Sequence, residues 1–237
     1  MRLETENLLY HDGDTRLAGF LATDADLGGK RPGVLVVHGG AGLDDHARGR
    51  ARRFAEAGFV VFACDMYGDG VTGNREQIMR HIGELRANRD AIVRRVQAAS
   101  EILLSRPEVD GRLAAVGYCF GGMIVLEYAR SGSPISAVVS VHGTLDTANP
   151  AAPASIAPRI LVCHGALDPY VPMSHVTAFA EEMRNASADY QLIVYGNAMH
   201  GFTHETATGQ QPGVLYHPQT DARSSIVIQD FLEEVFA

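Results

Sequence analysis

Short apolar segments alternate with longer amphipathic segments along this chain of 237 residues. The clearest apolar segment, Gly-Val-Leu-Val-Val-His at 33–38, has no polar alternation, which is typical of a strand buried on both faces of a parallel sheet. Neighbouring strands of a parallel sheet are joined by crossover helices, and the amphipathic segments supply them. The alternation therefore predicts an α/β protein with a mostly parallel central sheet and helices on both faces.

The N-terminal segment differs from the rest because it predicts antiparallel pairing. Residues 3–10 and 15–22 flank His-Asp-Gly-Asp at 11–14, a turn-forming tetrapeptide, so we expect a hairpin before the parallel strands begin. Further strands are predicted at 59–64, 113–117, 135–141, 160–163 and 190–195, and helices at 44–58, 75–105, 123–130 and 221–236. No repeat, low-complexity segment or linker interrupts the pattern, so residues 1–237 are expected to form a single domain.

Composition narrows the classes of partner and compartment. Acidic residues outnumber basic ones, 28 to 20, and the net charge of −8 argues against a nucleic-acid partner, which needs a basic surface. No segment approaches the roughly 20 apolar residues of a membrane span, and the N-terminal residues lack the basic and apolar regions of a signal peptide. Three cysteines without a Cys-x-x-Cys spacing suggest neither a disulfide scaffold nor a zinc site. We therefore expect a cytoplasmic protein that binds neither nucleic acid nor membranes.

The segment Gly-Tyr-Cys-Phe-Gly at 117–121 lies between a predicted buried strand and a predicted helix. In a nucleophile elbow the central residue occupies a strained strand-to-helix turn, and the flanking glycines are required because the backbone closes tightly there. The N-terminal end of the following helix is electropositive and favours a thiolate. Cys119 is therefore the candidate nucleophile, whereas Cys64 and Cys163 lie inside apolar strands and are expected to be buried core thiols.

An acid and a base follow the elbow in the chain order that this architecture requires, which is nucleophile, acid, base. Asp168 lies in a short loop directly after a predicted strand, and the rigid Pro169 is expected to fix the direction of its carboxylate. His200 lies in the loop after the last predicted strand, from where an imidazole can reach the elbow. Each is a common loop residue by itself, but the ordered combination is specific. We therefore predict a catalytic triad of Cys119, His200 and Asp168.

With these motifs the sequence resembles the dienelactone hydrolase family of the α/β-hydrolase superfamily, from about Leu3 to Phe236. The motifs that carry the resemblance are Gly-Tyr-Cys-Phe-Gly-Gly at 117–122, Gly-Ala-Leu-Asp at 165–168, His-Gly-Phe at 200–202 and Cys-Asp-Met-Tyr-Gly at 64–68. The resemblance implies an α/β-hydrolase fold and a cysteine nucleophile. It also implies an oxyanion hole formed by the backbone N–H groups of Phe120 and Gly40.

Two departures from the family pattern bear on the substrate. Family members that open dienelactone carry a glutamate just after the first parallel strand, whereas residues 38–42 here are His-Gly-Gly-Ala-Gly. They also carry an arginine four residues after the catalytic histidine to bind the substrate carboxylate, and His204 occupies that position. A second family arginine corresponds to Arg86 or Arg80. Neutral esters or lactones are therefore expected to be preferred over carboxylate-bearing ones, unless one of these two arginines supplies the charge.

The histidines raise the question of a metal site. His200 and His204 are spaced so that their side chains align only in a helix, which the intervening glycine disfavours. His38, His142 and His164 each end a predicted strand and are expected to be hydrogen-bonded loop anchors. We therefore expect no metal and no other cofactor.

Three functions are compatible with these residues. The first is hydrolysis of a small ester or lactone, in which Cys119 attacks the carbonyl and His200 protonates the leaving oxygen and then activates water. The second is a binding or sensor protein that retains the fold without turnover. The third is thiol redox chemistry at Cys119, which has no resolving cysteine nearby in the sequence. For the hydrolase, a neutral resting thiol predicts that activity falls as His200 is protonated, whereas a thiolate–imidazolium pair keeps acylation constant to lower pH.

Overall fold

The computed structural model describes all 237 residues and confirms the α/β fold class, with a mostly parallel sheet, helices and an N-terminal antiparallel hairpin. The strands are β1 (Leu3–Asp12), β2 (Thr15–Asp24), β3 (Arg31–Val37), β4 (Val60–Cys64), β5 (Val109–Tyr118), β6 (Ala137–Val141), β7 (Arg159–Gly165) and β8 (Tyr190–Tyr195). The helices are α1 (Asp45–Glu56), α2 (Arg75–Ala87), α3 (Arg89–Leu104), α4 (Phe120–Arg130), α5 (Met173–Asn185) and α6 (Pro218–Phe236). Not one of these helices combines the length and the apolarity that a bilayer crossing demands.

The chain divides within β5 into two compact units, Met1–Val116 and Gly117–Ala237. In the first unit, β1 and β2 form the predicted hairpin, with Asp12 opposite Thr15 across a two-residue turn. Gly13 begins that turn with a φ of 56°, a conformation that glycine adopts at little cost. Strand β2 then pairs antiparallel with β4, which pairs parallel with β3. The hairpin prediction is therefore confirmed.

The helical segment predicted over 75–105 is two helices rather than one. Helix α2 ends at Ala87 and α3 begins at Arg89, and Asn88 between them is non-helical, with φ −135° and ψ 85°. The Asn88 side chain accepts a hydrogen bond from the Ala91 backbone amide and so caps α3. The single-helix prediction was wrong because apolar periodicity continues across a one-residue break, and only the capping residue marks it.

In the second unit, β6, β7 and β8 are parallel neighbours, with Val141 opposite Cys163 and Gly165 opposite Tyr195. Strand β6 is completely buried, and α4 is buried along its whole length, as expected of an apolar core helix. Because the carboxyl ends of parallel strands lie at the same edge of a sheet, the loops that follow β7 and β8 begin close together. Helix α5, which connects these two strands, was not predicted from the sequence.

Candidate active site

Cys119 lies between the end of β5 and the first residue of α4, at the predicted strand-to-helix turn. Its φ is positive (53°, with ψ −114°), and such a conformation costs a non-glycine residue on the order of 1–3 kcal/mol. A glycine is needed at the start of the turn because a Cβ on Gly117 would lie 2.0 Å from the Gly121 carbonyl oxygen. The turn is therefore a tight, strained elbow with Cys119 at its apex.

Backbone hydrogen bonds hold the elbow. The Cys119 amide donates to the Val141 carbonyl at 3.0 Å, and the Cys119 carbonyl accepts from the Gly122 amide at 3.0 Å. Cys119 is partly exposed, whereas Cys64 and Cys163 are completely buried, as predicted for core thiols. Burial raises the pKa of both buried thiols to about 12, so neither forms a thiolate near neutral pH.

Asp168 lies in the loop after β7, and its side chain is completely buried. One carboxylate oxygen accepts hydrogen bonds from the backbone amides of Tyr170 at 2.9 Å and Val171 at 3.2 Å. The other oxygen lies 2.7 Å from Nδ1 of His200. The direction of the carboxylate is therefore set by the two amides, whereas the sequence pointed to the rigidity of Pro169.

His200 lies in the irregular segment after β8. Its backbone amide donates to the Gly213 carbonyl, and its carbonyl accepts from the Leu215 amide, each at 3.1 Å. The Nε2 atom lies 3.0 Å from Sγ of Cys119. The Tyr170 ring packs nearly perpendicular to the imidazole, with 5.4 Å between the ring centres. Carboxylate, imidazole and sulfur therefore form one continuous chain of contacts.

The surroundings of His200 favour its protonated form. Burial lowers the pKa of this imidazole, but the hydrogen bonds to Asp168 and Cys119 and the negative charges of these groups together raise it by more, to about 10. The raised pKa favours the doubly protonated ring at pH 7, in which Nδ1–H is donated to Asp168 and Nε2–H faces the sulfur. This arrangement favours a thiolate–imidazolium pair over a neutral thiol.

The other predicted site residues lie in different parts of the chain. Phe120 is the first residue of α4, so its N–H group lies at the N-terminal end of that helix. His204 is half-buried, and its ring centre is 5.9 Å from that of His142. In the first unit, Gly40 follows β3, and Arg86 is exposed in the last turn of α2. The oxyanion-hole and substrate-binding roles of these residues stay predictions.

The histidines that end strands differ in their hydrogen bonding. His38 accepts a hydrogen bond from the Met66 amide at Nε2 (3.0 Å) and lies 2.7 Å from the Gly39 carbonyl at Nδ1, so it is an anchor as predicted. Burial lowers its pKa, which agrees with a neutral ring. His164 is buried, and neither ring nitrogen has a hydrogen-bond partner of standard geometry; burial lowers its pKa by more than a looser contact with the Val171 backbone raises it, so His164 is at most a weakly held anchor. No three potential metal-ligating side chains lie close enough together to hold an ion.

Three further residues contact Cys119, His200 or Asp168: His142 is hydrogen-bonded as predicted for an anchor, whereas Thr203 and Tyr170 were missed by sequence reasoning. The His142 ring lies between the Cys119 amide, 3.1 Å from Nδ1, and the Thr203 hydroxyl, 2.8 Å from Nε2. Tyr170 contacts both the carboxylate loop and the imidazole of His200. The His-Gly pair after a strand was a usable signal for His142, but it indicated only an anchor. Nothing in the spacing of Thr203 or Tyr170 marks them, because their contacts depend on how two separate loops fold.

Similarity to known proteins extends over both units. Residues 17–236 match the model of the dienelactone hydrolase family. The solved structure of m3DLH is 40% identical, with a TM-score of 0.94 and complete coverage of both chains. The dienelactone hydrolase-like promiscuous phosphotriesterase P91 from metagenomic libraries is 38% identical, with a TM-score of 0.93 and again complete coverage. A putative carboxymethylenebutenolidase of Yersinia pestis is 28% identical over 210 residues, which are 83% of this chain and 78% of that protein.

Proposed function

Since the chain belongs to the dienelactone hydrolase family, and is thus a hydrolase of ester or lactone bonds, we propose that it cleaves small esters or lactones through a cysteine acyl-enzyme. The proposal is supported above all by the contact chain from Asp168 Oδ2 to His200 Nδ1 (2.7 Å) and from His200 Nε2 to Cys119 Sγ (3.0 Å). In this proposal Cys119 is the nucleophile, His200 is the acid and base, and Asp168 orients the imidazole.

Acylation begins when the Cys119 sulfur forms a bond to the carbonyl carbon of the substrate. The electron pair of the C=O double bond moves to the oxygen, and the N–H groups of Phe120 and Gly40 are the proposed hydrogen-bond donors to this oxyanion. As the C=O bond re-forms, the bond to the leaving oxygen breaks and the His200 imidazolium gives that oxygen its proton. In a lactone, the alcohol released in this way remains attached to the acyl group.

Deacylation uses the same residues, but His200 now accepts a proton instead of donating one. Neutral His200 removes a proton from water, whose oxygen attacks the thioester carbonyl. The C–S bond then breaks, the acid is released, and the thiolate of Cys119 again faces the imidazolium. Oxygen esters suit this sequence better than thioesters, because transfer from a thioester to a cysteine has little driving force.

A covalent intermediate provides the direct test of this proposal. When the protein is mixed with a 4-nitrophenyl ester and quenched in acid during the first turnovers, we expect its intact mass to rise by one acyl group. Peptide mapping should locate that group on Cys119, and a burst of 4-nitrophenol stoichiometric with the protein should accompany it. Hydrolysis without an acylated Cys119 would refute the covalent route, and no reaction with any ester of a broad panel would favour the binding or sensor function.

The raised pKa of His200 predicts how acylation depends on pH. Because this pKa is about 10, the imidazolium persists from acidic pH up to that value and is lost only as the pH rises through it. Single-turnover acylation by a 4-nitrophenyl ester should therefore vary by less than about twofold between roughly pH 6 and 9. Hydrolysis of an alkyl ester, whose leaving group needs a proton, should fall above about pH 10. An inflection of the acylation rate near the ordinary histidine pKa of about 6.5 would instead indicate a neutral resting thiol.

The residue at position 204 predicts a preference for neutral substrates. An arginine is always charged and binds a carboxylate through two hydrogen bonds, whereas an imidazole offers one donor and is ordinarily mostly neutral at pH 7. Loss of a charge-assisted hydrogen bond is worth about 1.5–3 kcal/mol, which is roughly ten- to a hundredfold in kcat/KM. For a matched pair of lactones, we expect a higher kcat/KM for the neutral one, and His204→Arg should raise kcat/KM for the carboxylate-bearing one by about tenfold or more.

Arg86→Ala is the matched control for this preference, because Arg86 is, with Arg80, one of the two arginines that are candidates for binding a carboxylate. If Arg86 supplies no charge to the substrate, its removal leaves the ratio of the two kcat/KM values unchanged. A strong preference for the carboxylate-bearing lactone that disappears in Arg86→Ala would overturn the prediction and restore dienelactone-type substrates.

A second activity is proposed because the relative named as a promiscuous phosphotriesterase is 38% identical over the whole chain. In this reaction the Cys119 sulfur attacks phosphorus, the bond to the aryl oxide breaks, and water then displaces sulfur from the thiophosphoryl-enzyme. Release of 4-nitrophenol from a dialkyl 4-nitrophenyl phosphate tests the activity. Loss of both ester and phosphotriester hydrolysis in Cys119→Ala would indicate one shared nucleophile, whereas survival of the phosphotriester reaction alone would contradict this route.

We also propose that residues 1–237 form a single domain and that the protein is cytoplasmic. The family match includes residues of both compact units, which supports the first proposal. The cysteines form no disulfide, which agrees with a reducing compartment. The partner of such a hydrolase is a small-molecule substrate.

A further inference from the structure

His142 is a buried side chain to which the proposed reaction gives no part. Its φ of 41° lies in the left-handed region that residues with a Cβ rarely adopt, and its backbone amide donates to the Cys163 carbonyl at 2.8 Å. The next residue must be small, because a Cβ on Gly143 would lie 2.7 Å from the Cα of Gly122 in α4. The segment after β6 is therefore pressed against the first turn of α4, beside the elbow.

Two hydrogen bonds define the state of the His142 imidazole. The backbone N–H of Cys119 can only donate and lies 3.1 Å from Nδ1, so Nδ1 carries no proton. The ring proton is therefore on Nε2, which donates to the Thr203 hydroxyl at 2.8 Å. The Cys119 amide is shared, since it also donates to the Val141 carbonyl.

We propose that His142 is a positioning residue that joins the elbow carrying Cys119 to the loop carrying His200. Thr203 belongs to the same loop as His200, and the His142 ring also packs against the His200 ring, with 5.4 Å between their centres. The bridge thus connects the two segments whose separation determines the 3.0 Å contact between sulfur and imidazole. This inference rests on the proposed function, because it assigns His142 to the same site.

The surroundings of the bridge make its hydrogen bonds hard to replace. His142 and Thr203 are buried, with 0% and 1% of their surfaces exposed. The rings of Tyr118, Phe202 and His204 lie 6.1, 5.0 and 5.9 Å from the His142 ring, measured between ring centres. Tyr118, His204 and His200 are the ionisable groups among these neighbours. A polar atom that loses its partner in such a place is not easily satisfied by water, so the loops must shift.

Alkylation of the native protein by iodoacetamide tests the bridge without any substrate. Cys64 and Cys163 are completely buried, so the reaction reports on Cys119. An ordinary thiol, with a pKa of about 8.5, is thiolate to less than about 1% at pH 6 but almost entirely at pH 10. Thr203→Val removes the hydroxyl and keeps the shape, so alkylation should slow about tenfold at pH 6 and change by less than about twofold at pH 10. Thr203→Ser keeps the hydroxyl, is the matched control, and should react like the wild type.

His142→Phe keeps a ring and removes both nitrogens, so the alkylation rate at pH 6 should fall by the same factor as in Thr203→Val. The double variant His142→Phe, Thr203→Val should be no slower than the slower single variant, because both changes break one bridge. Equal slowing at both pH values, effects that multiply in the double variant, or a wild-type rate for Thr203→Val would each overturn the proposal. If His142→Phe does not fold, the alkylation rates of Thr203→Val and Thr203→Ser decide whether the bridge positions the thiolate.

An ester assay on the same variants separates this inference from the proposed function. Hydrolysis that survives Cys119→Ala would refute the proposed function, yet the alkylation rates would still decide whether His142 positions the thiolate. If both the inference and the proposed function hold, Thr203→Val should lower kcat for a 4-nitrophenyl ester and leave KM within about twofold, because the bridge is buried and His200, which it positions, serves both acylation and deacylation.

Discussion

Cys119→Ala should lower kcat/KM for a 4-nitrophenyl ester by at least about 10,000-fold while the protein stays folded. The substitution removes the sulfur that forms the acyl bond in the proposed mechanism, and neither His200 nor the buried Asp168 is placed to replace it as a nucleophile. The thiol is partly exposed, so its loss leaves little cavity, and alanine meets the same backbone strain as cysteine at a φ of 53°. The measurement is kcat/KM for both proteins, with circular dichroism and thermal unfolding to establish the folded fraction.

Cys163→Ala is the matched control, because it removes a thiol of the same size from the interior. Its activity per folded molecule should equal that of the wild type, and its stability should fall by about 1 kcal/mol through the small cavity. Cys64→Ala should behave in the same way, because that thiol is also completely buried. If all three variants lost activity equally at matched folded fraction, the assignment of Cys119 as the nucleophile would be wrong.

His200→Gln should lower steady-state hydrolysis of the same ester by about 1,000- to 10,000-fold. Glutamine can occupy part of the space of the imidazole, but it can neither stabilise the thiolate as a cation nor take a proton from water. At about pH 10 the thiolate forms without the imidazolium, so acylation should largely recover there while deacylation stays slow. Rapid-quench measurement of the acyl-enzyme at this pH should therefore show that it accumulates.

His11→Gln is the control for this variant, because His11 is exposed on the N-terminal hairpin. This variant should match the wild type in the amplitude of the 4-nitrophenol burst and in the steady-state rate of ester hydrolysis. Steady-state activity of His200→Gln within about tenfold of the wild type would show that another group serves as the base.

The elbow could be predicted from the sequence because the requirements of its backbone conformation are local. The buried strand, the positive φ of Cys119 and the glycine at 117 all concern a few consecutive residues, and each leaves a signature in residue type. The break between α2 and α3 is equally local, yet it was missed, because a single capping asparagine interrupts the backbone without interrupting the apolar pattern.

The sequence predicted the chain order of Asp168 and His200 but not the positions of their side chains. Asp168 and His200 follow two neighbouring parallel strands, so their loops necessarily begin at one edge of the sheet. Their side-chain directions depend on contacts that no spacing encodes, such as the amides of Tyr170 and Val171 on the carboxylate. The raised pKa of His200 follows from these distances and therefore could not be derived from the chain order.

The sequence by itself determined the fold class, the identity of the candidate nucleophile and the order of its partners, because periodicity, glycine requirements and chain order are properties of the linear chain. Only the tertiary structure shows the contacts with Asp168 and Cys119 that raise the pKa of His200, and it alone places His142 between the Cys119 amide and the Thr203 hydroxyl. Hydrogen bonds and charges act over about 3 Å between residues far apart in the chain. The strength of these hydrogen bonds and charge interactions is therefore set by how the loops pack. A sequence pattern does not specify the distances between atoms of different loops.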